Sequence, residues 1–231
     1  MTADIGVYTS VCEEDAMWVE QYLDEIERLR LPFAIHLDRC DTWTKDKLRR
    51  HRLCIGATVQ QDFYTEFNET HKQGAFDIVV GAGFKWAMAW DIDETYERDA
   101  PRKLEEISKL DVDHVDVRWL NLLDDHRHIR IDPPFDSGHR VKFYRLGKID
   151  WRFAHKITNG PKPISGEEPH LGRYDLVCLH WGMMTKGLRL LHKERWDRIY
   201  TKAVGKNPYG FWKMACDEEN HPAVVVEHDY L

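Results

Sequence analysis

Trp86-Ala-Met-Ala-Trp90-Asp91-Ile92-Asp93-Glu94-Thr95 is an apolar run that ends abruptly in three carboxylates. A hydrophobic segment this short reads as a buried central strand, and open α/β sheets bind their ligands beyond the carboxyl ends of such strands. Asp91 and Asp93, one residue apart, suit a hard divalent cation that bridges to phosphate oxygens, because two carboxylates beside an apolar strand need a positive neighbour. The competing reading is a plain strand-to-helix junction, in which acidic residues favour the first turn of the next helix.

The flanking sequence alternates between strand and helix patterns. Residues 5–11 and 33–37 are β-rich apolar runs, the second ending at Asp38. Between them, residues 13–30 place Ala16, Trp18, Val19, Tyr22, Leu23, Ile26 and Leu29 at helical spacing before Pro32. A short basic helix over 41–52, with Asp41 or Thr42 as N-cap, a third strand over 54–59 and a mostly helical 66–83 lead into the quoted strand. Such βα steps predict a parallel sheet with right-handed crossovers. Beyond the acidic motif come a helix over 101–110 with Pro101 in its first turn and a strand over 114–123 that ends in Asp124-Asp125. Short strand-like runs at 141–146, 151–157 and 176–181, joined by Gly/Pro-rich segments, then predict a mixed or antiparallel part, and 186–206 a basic helix.

At 231 residues, 42% of them hydrophobic, the chain can bury one sizeable core, and no Pro/Gly/Ser-rich linker divides it. One domain over 1–231 is expected, in two halves at 1–95 and 96–231. The first residues lack the pattern of a secretory signal, and nowhere do eighteen apolar residues run together, so the expectation is a soluble, cytoplasmic protein without membrane insertion. Five scattered cysteines without a C-x-x-C pair predict reduced thiols.

The net charge of −7 is unevenly spread: residues 139–213 carry sixteen Lys/Arg against six Asp/Glu. Interleaved Trp151, Trp181, Trp196, Tyr209 and Trp212 add rings that could stack on bases or sugars, which suggests an anionic partner; a solvated basic face explains the same composition.

Taken together, the strand ending at Asp38, the aromatic-rich strand running into Asp91-Ile92-Asp93-Glu94, the following helix and strand, and an isolated His180 in Leu179-His180-Trp181 resemble the family 2-type glycosyltransferases of the GT-A fold. Arg145 with residues 151–157 is similar to the branch whose metal motif reads Asp-x-Asp-Glu. The resemblance covers nearly the whole chain. It implies a Rossmann-like α/β fold with a central, mostly parallel sheet and a mixed C-terminal part, and the transfer of a sugar from a nucleotide-diphosphate sugar, a UDP-sugar above others, to a hydroxyl acceptor. Asp91, Asp93 and His180 would hold Mn²⁺ or Mg²⁺ against the donor diphosphate. Thr9, Val11 and Glu13 at the end of the first strand, with Asp38, would hold the nucleoside. An inverting transfer also needs a carboxylate behind the acceptor hydroxyl; Glu167, Glu168, Asp124 and Asp125 are the candidates. The acceptor stays open between a modified base of DNA, a soluble protein and a small metabolite.

Asp91-Ile92-Asp93-Glu94-Thr95 also satisfies the Asp-x-Asp-x-Thr pattern of haloacid-dehalogenase-like phosphatases, with Asp91 as nucleophile, Asp93 as general acid and Asp124-Asp125 as late metal-binding acids. Only about thirty residues separate Asp93 from Asp124, too few for the βα units that arrangement needs. A zinc cluster at His126, His128 and His114 lacks a fourth ligand at metal-site spacing.

Overall fold

The computed structural model describes residues 4–60, 70–133, 138–153, 160–166, 168–204, 215–217, 219–220 and 222–231. Twelve strands are present among them: β1 (Ile5–Cys12), β2 (Phe33–Asp38), β3 (Cys54–Gln60), β4 (Trp86–Ala89), β5 (Glu94–Tyr96), β6 (His114–Asn121), β7 (His128–Arg130), β8 (Gly138–Arg145), β9 (Trp151–Arg152), β10 (Lys162–Pro163), β11 (Leu171–His180) and β12 (Val225–Glu227). The helices are α1 (Val19–Leu29), α2 (Thr42–Arg49), α3 (Thr70–Gly81), α4 (Ala100–Ile107) and α5 (Lys186–Val204).

Eight strands form one sheet in the order β3-β2-β1-β4-β8-β6-β11-β5. The β3 to β4 half is parallel throughout. β8 then runs antiparallel between β4 and β6, β11 lies parallel to β6, and β5 closes the edge antiparallel to β11. This is the α/β, Rossmann-like sheet with a mixed C-terminal part expected from the sequence. β9 with β10 and β7 with β12 make two small ribbons.

β1 and β2 are buried along almost every residue, as parallel strands covered on both faces must be. Alternation along β1 sorts the core into two layers. Val7 and Val11 pack with Tyr22 and Ile26 of α1 and Leu104 of α4, whereas Tyr8 faces Phe76 and Val79 of α3. Helix ends follow local chemistry: the Asp41 carboxylate accepts a hydrogen bond from Thr44 N at 2.7 Å, Pro101 sits in the first turn of α4, and α1 stops at Arg30, whose left-handed φ of 54° precedes Pro32.

Several elements differ from the sequence reading. Residues 13–18 form a tight 3-10 turn before α1, because the Asp15 carboxylate reaches back to Cys12 N at 2.9 Å. The expected helix over 66–83 is seen from Thr70, and 66–69 lie outside the described residues. Glu94-Thr95-Tyr96 pair as an edge strand where a simple strand-to-helix junction was the alternative. β11 begins at Leu171, earlier than the apolar run at 176–181 suggests.

Register fixes the site. His180 stands opposite Glu94 on one side and Asn121 on the other, so the carboxyl ends of β6 and β11 meet the acidic motif in one row. Trp90 anchors the motif from below: it is 1% exposed, its ring meets Tyr22 and Tyr96 edge-on at 5.5 and 4.9 Å, and its Nε1 donates to Glu94 O at 3.0 Å. Trp90→Ala is therefore expected to cost about 3–5 kcal/mol, read as a lower urea midpoint at unchanged slope; a change below about 1 kcal/mol would contradict this packing.

Candidate active site

Glu94 is fully buried, and its carboxylate accepts from Lys142 Nζ at 2.6 and 2.7 Å, Trp119 Nε1 at 2.7 Å and Asp91 N at 3.1 Å. Burial works against the Lys142 charge, but the Glu94 and Asp91 carboxylates outweigh it and raise the lysine above its ordinary pKa. Asp91 is half exposed and accepts from Lys72 Nζ at 3.0 Å, with Lys142 Nζ at 3.7 Å. Although the surrounding protein opposes its charge, these two lysines hold its carboxyl well below the usual range.

Asp93 faces histidines instead. Its Oδ2 lies 3.0 Å from His180 Nε2 and 3.8 Å from His192 Nε2 on α5. Burial disfavours the Asp93 charge, yet the two imidazoles hold its pKa low; burial also lowers that of His192. His180 is oriented from two sides. Its Nδ1 bonds Asn121 Oδ1 at 2.9 Å, and its ring stacks on Trp119 at 4.5 Å, with the Arg140 guanidinium on that indole at 4.1 Å. Since Asn121 Oδ1 only accepts, His180 Nδ1 is the donor in that bond, which leaves Nε2 as the ring atom that faces Asp93 Oδ2.

Two donors bound to one ion at about 2.1 Å stand about 3.0 Å apart at a right angle and about 3.4 Å apart in a tetrahedron. The 3.0 Å between Asp93 Oδ2 and His180 Nε2 is of this size, so these two residues fit a divalent ion of the kind expected. Among the described residues no group of three His, Cys, Asp or Glu side chains is placed to hold a metal ion as the chain stands; His192 Nε2, 3.8 Å from Asp93 Oδ2, would have to close in to join them.

The expected nucleoside residues meet at the carboxyl ends of β1 and β2. Thr9 and Val11 are each 1% exposed, and Val11 belongs to the core cluster on the α1 face, so both are buried at the end of β1. The Asp38 carboxylate takes a two-pronged bond from Arg39 at 3.0 and 2.9 Å, and Arg39, at a left-handed φ of 53°, also lies 3.6 Å from Glu13.

The candidate bases fall on opposite edges of the sheet. Glu168 precedes Leu171, at the amino end of β11, whereas His180 ends that strand. Ten extended residues span about 30 Å, which removes Glu168 from the site; Glu167 lies outside the described residues. Asp124 and Asp125 follow the carboxyl end of β6, on the edge that carries Asn121 and His180. Asp125 caps its own turn, accepting from Arg127 N at 2.7 Å and His128 N at 3.0 Å, bonds that hold its pKa low. Asp124 is mostly exposed, 3.4 Å from the buried Arg189 guanidinium. Of the late acids of the phosphatase reading, Asp125 is thus taken up by its own turn and Asp124 stands beside Arg189.

Among the described residues of the basic stretch, many of the charges are paired or buried. Arg145 pairs with Asp111, Lys148 with Asp113, Arg173 with Asp116, Lys193 with Asp197, and Arg195 with Glu14 and Asp15. Lys142 and Arg189 are buried.

Lys72, Lys142, Trp119, Asn121 and His192 escaped the sequence reading. Lys142 alone left a trace, as a charge inside the apolar run of β8; the others come from elements that only folding brings together.

No protein-family model matches the chain, and no curated protein matches it. Solved structures with a similar chain path are those of S. aureus TarS 1-349, at 10% identity over 93% of this chain and 70% of that one with a TM-score of 0.45, and a Desulfovibrio desulfuricans G20 protein assigned as a nucleotide-diphospho-sugar transferase, at 11% identity over 87% and 92% with a TM-score of 0.45. HddC from Yersinia pseudotuberculosis, complexed with GMP-PN, aligns at 9% identity over 81% and 99% with a TM-score of 0.46. The chemistry of the site rests on its own residues.

Because Lys142 is buried against Glu94, Glu94→Leu is expected to destabilise the fold by about 3–5 kcal/mol, and Glu94→Leu with Lys142→Met to recover most of that loss. Urea unfolding of both variants checks this; equal losses in the single and double variants would contradict it.

Proposed function

We propose that this chain is a metal-dependent glycosyltransferase that moves a sugar from a nucleotide-diphosphate sugar to a hydroxyl acceptor with inversion. The observation that carries the reading is the meeting of Asp93 with His180 and His192, beside an Asp91 flanked by Lys72 and Lys142, at the carboxyl edge of an α/β sheet. Asp93 and His180 would hold Mn²⁺ or Mg²⁺. Asp91, the other expected ligand, would reach the ion by giving up a lysine. The bound ion supplies positive charge that stabilises the departing nucleoside diphosphate.

The remaining steps belong to the chain's own side chains. Glu13 and Asp38 accept from ribose hydroxyls or base N–H groups, with the buried Thr9 and Val11 fixing the strand end beside them. Lys72, held in place by Asp91, lies where the diphosphate of a bound donor adds negative charge. The acceptor oxygen attacks the anomeric carbon, the bond to the diphosphate oxygen breaks, and a carboxylate takes the hydroxyl proton. Asp124 has the exposure and edge for that task, whereas Asp125 spends its oxygens on the turn. UDP is the proposed nucleotide, in keeping with the sequence resemblance. A DNA acceptor draws its support from the basic composition of 139–213, much of which is paired within the fold.

Asp93→Asn is expected to abolish Mn²⁺-dependent binding of a UDP-sugar in calorimetric titration while leaving the melting temperature within a few degrees; unchanged affinity would sink the metal reading. Asp124→Asn is expected to lower kcat by about 10²-fold or more with donor KM little changed, and Asp125→Asn to act mainly on stability. Full turnover in Asp124→Asn would remove it as the base.

A further inference from the structure

We propose that His192 is a third protein ligand, so that Asp93, His180 and His192 present one carboxylate and two imidazoles to a transition-metal ion, which they bind before any nucleotide. The inference rests on the metal-dependent reading and deepens it by naming the ligand set and the kind of ion.

Gly182 supplies the geometric argument. A Cβ built on it would lie 2.5 Å from Asp93 Oδ2, 2.8 Å from His180 Nε2 and 2.8 Å from His192 Nε2, so three donor atoms converge on one small space. They come from three parts of the chain: the turn after β4, the end of β11 and the middle of α5. All three side chains are mostly buried, at 12%, 9% and 16% exposure, which limits the freedom to be lost on ligation. Asp91 differs in being bonded to Lys72 and approached by Lys142, so its charge is already compensated.

Two imidazoles and one carboxylate favour Mn²⁺, Co²⁺ or Zn²⁺ over Mg²⁺, which prefers oxygen donors and keeps its water. Gly182 follows from the same geometry: an alanine methyl would press on all three donors.

The test titrates the full chain with Co²⁺ in the absence of nucleotide, followed by calorimetry and by the visible absorption of the bound ion, with melting temperatures as folding controls. His192→Ala and Gly182→Ala are each expected to weaken Co²⁺ binding by about 10-fold or more, and Mg²⁺ to compete about 100-fold less well than Mn²⁺. Gly182→Ala keeps every donor, so its loss cannot be blamed on removing an imidazole. Wild-type affinity and spectrum in His192→Ala, or a wild-type chain that binds no Co²⁺ without nucleotide, would overturn the inference. Donor hydrolysis with and without EDTA then reads the parent proposal separately, since a metal held only with nucleotide would still leave it standing.

Discussion

The buried contact between Glu94 and Lys142 is the constraint on which the site depends. Glu94 has no exposed surface, and its two oxygens receive the Lys142 ammonium, the Trp119 indole N–H and the Asp91 amide. An ion pair this deep survives only if almost every lone pair finds a donor. Satisfying it draws β8, β6 and the turn after β4 to one point. Asp91 and Asp93 are thereby held just ahead of a fixed residue, one facing lysines and the other histidines. The motif is Asp-x-Asp-Glu, and its least accessible carboxylate positions the other two.

Around that point the sheet supplies direction. β4 and β11 both end at the site, and the pairing of His180 with Glu94 and Asn121 sets the imidazole against Asp93. Trp119 serves twice, donating to Glu94 and stacking on His180, so the charge anchor and the histidine share one rigid ring. The proposed nucleoside end lies at the neighbouring strand ends, where Arg39 ties Asp38 to Glu13. Positive and negative groups alternate across this edge, which suits the diphosphate and divalent ion of the proposed function.

Much of the fold was legible because parallel strands covered on both faces read as continuous apolar runs, and β1, β2 and β4 are such strands. Elements of two or three residues, such as β7, β10 and β12, are too short to show a period. The first half of β11 is partly exposed and polar, so its sequence resembles a loop. In the site, Asp91, Asp93 and Glu94 stood out because they adjoin in sequence, whereas Lys72, Lys142 and His192 gather only by packing. Glu168 was chosen for its chemistry, and strand direction then placed it at the opposite edge. The basic balance of 139–213 hid its ion pairs for a similar reason: partners such as Asp15, Asp111, Asp113 and Asp116 lie outside that stretch and reach it only in the folded chain.

The central claim is that the carboxyl edge between β4 and β11 binds a divalent ion and a nucleoside diphosphate as one unit. Anomalous scattering from crystals grown with Mn²⁺ and UDP tests it most directly. The account expects a manganese peak about 2.2 Å from Asp93 Oδ2 and His180 Nε2, with diphosphate oxygens completing its shell and the nucleoside against Asp38. Nucleotide bound elsewhere on the sheet, or ordered at this edge with no manganese beside Asp93, would contradict it.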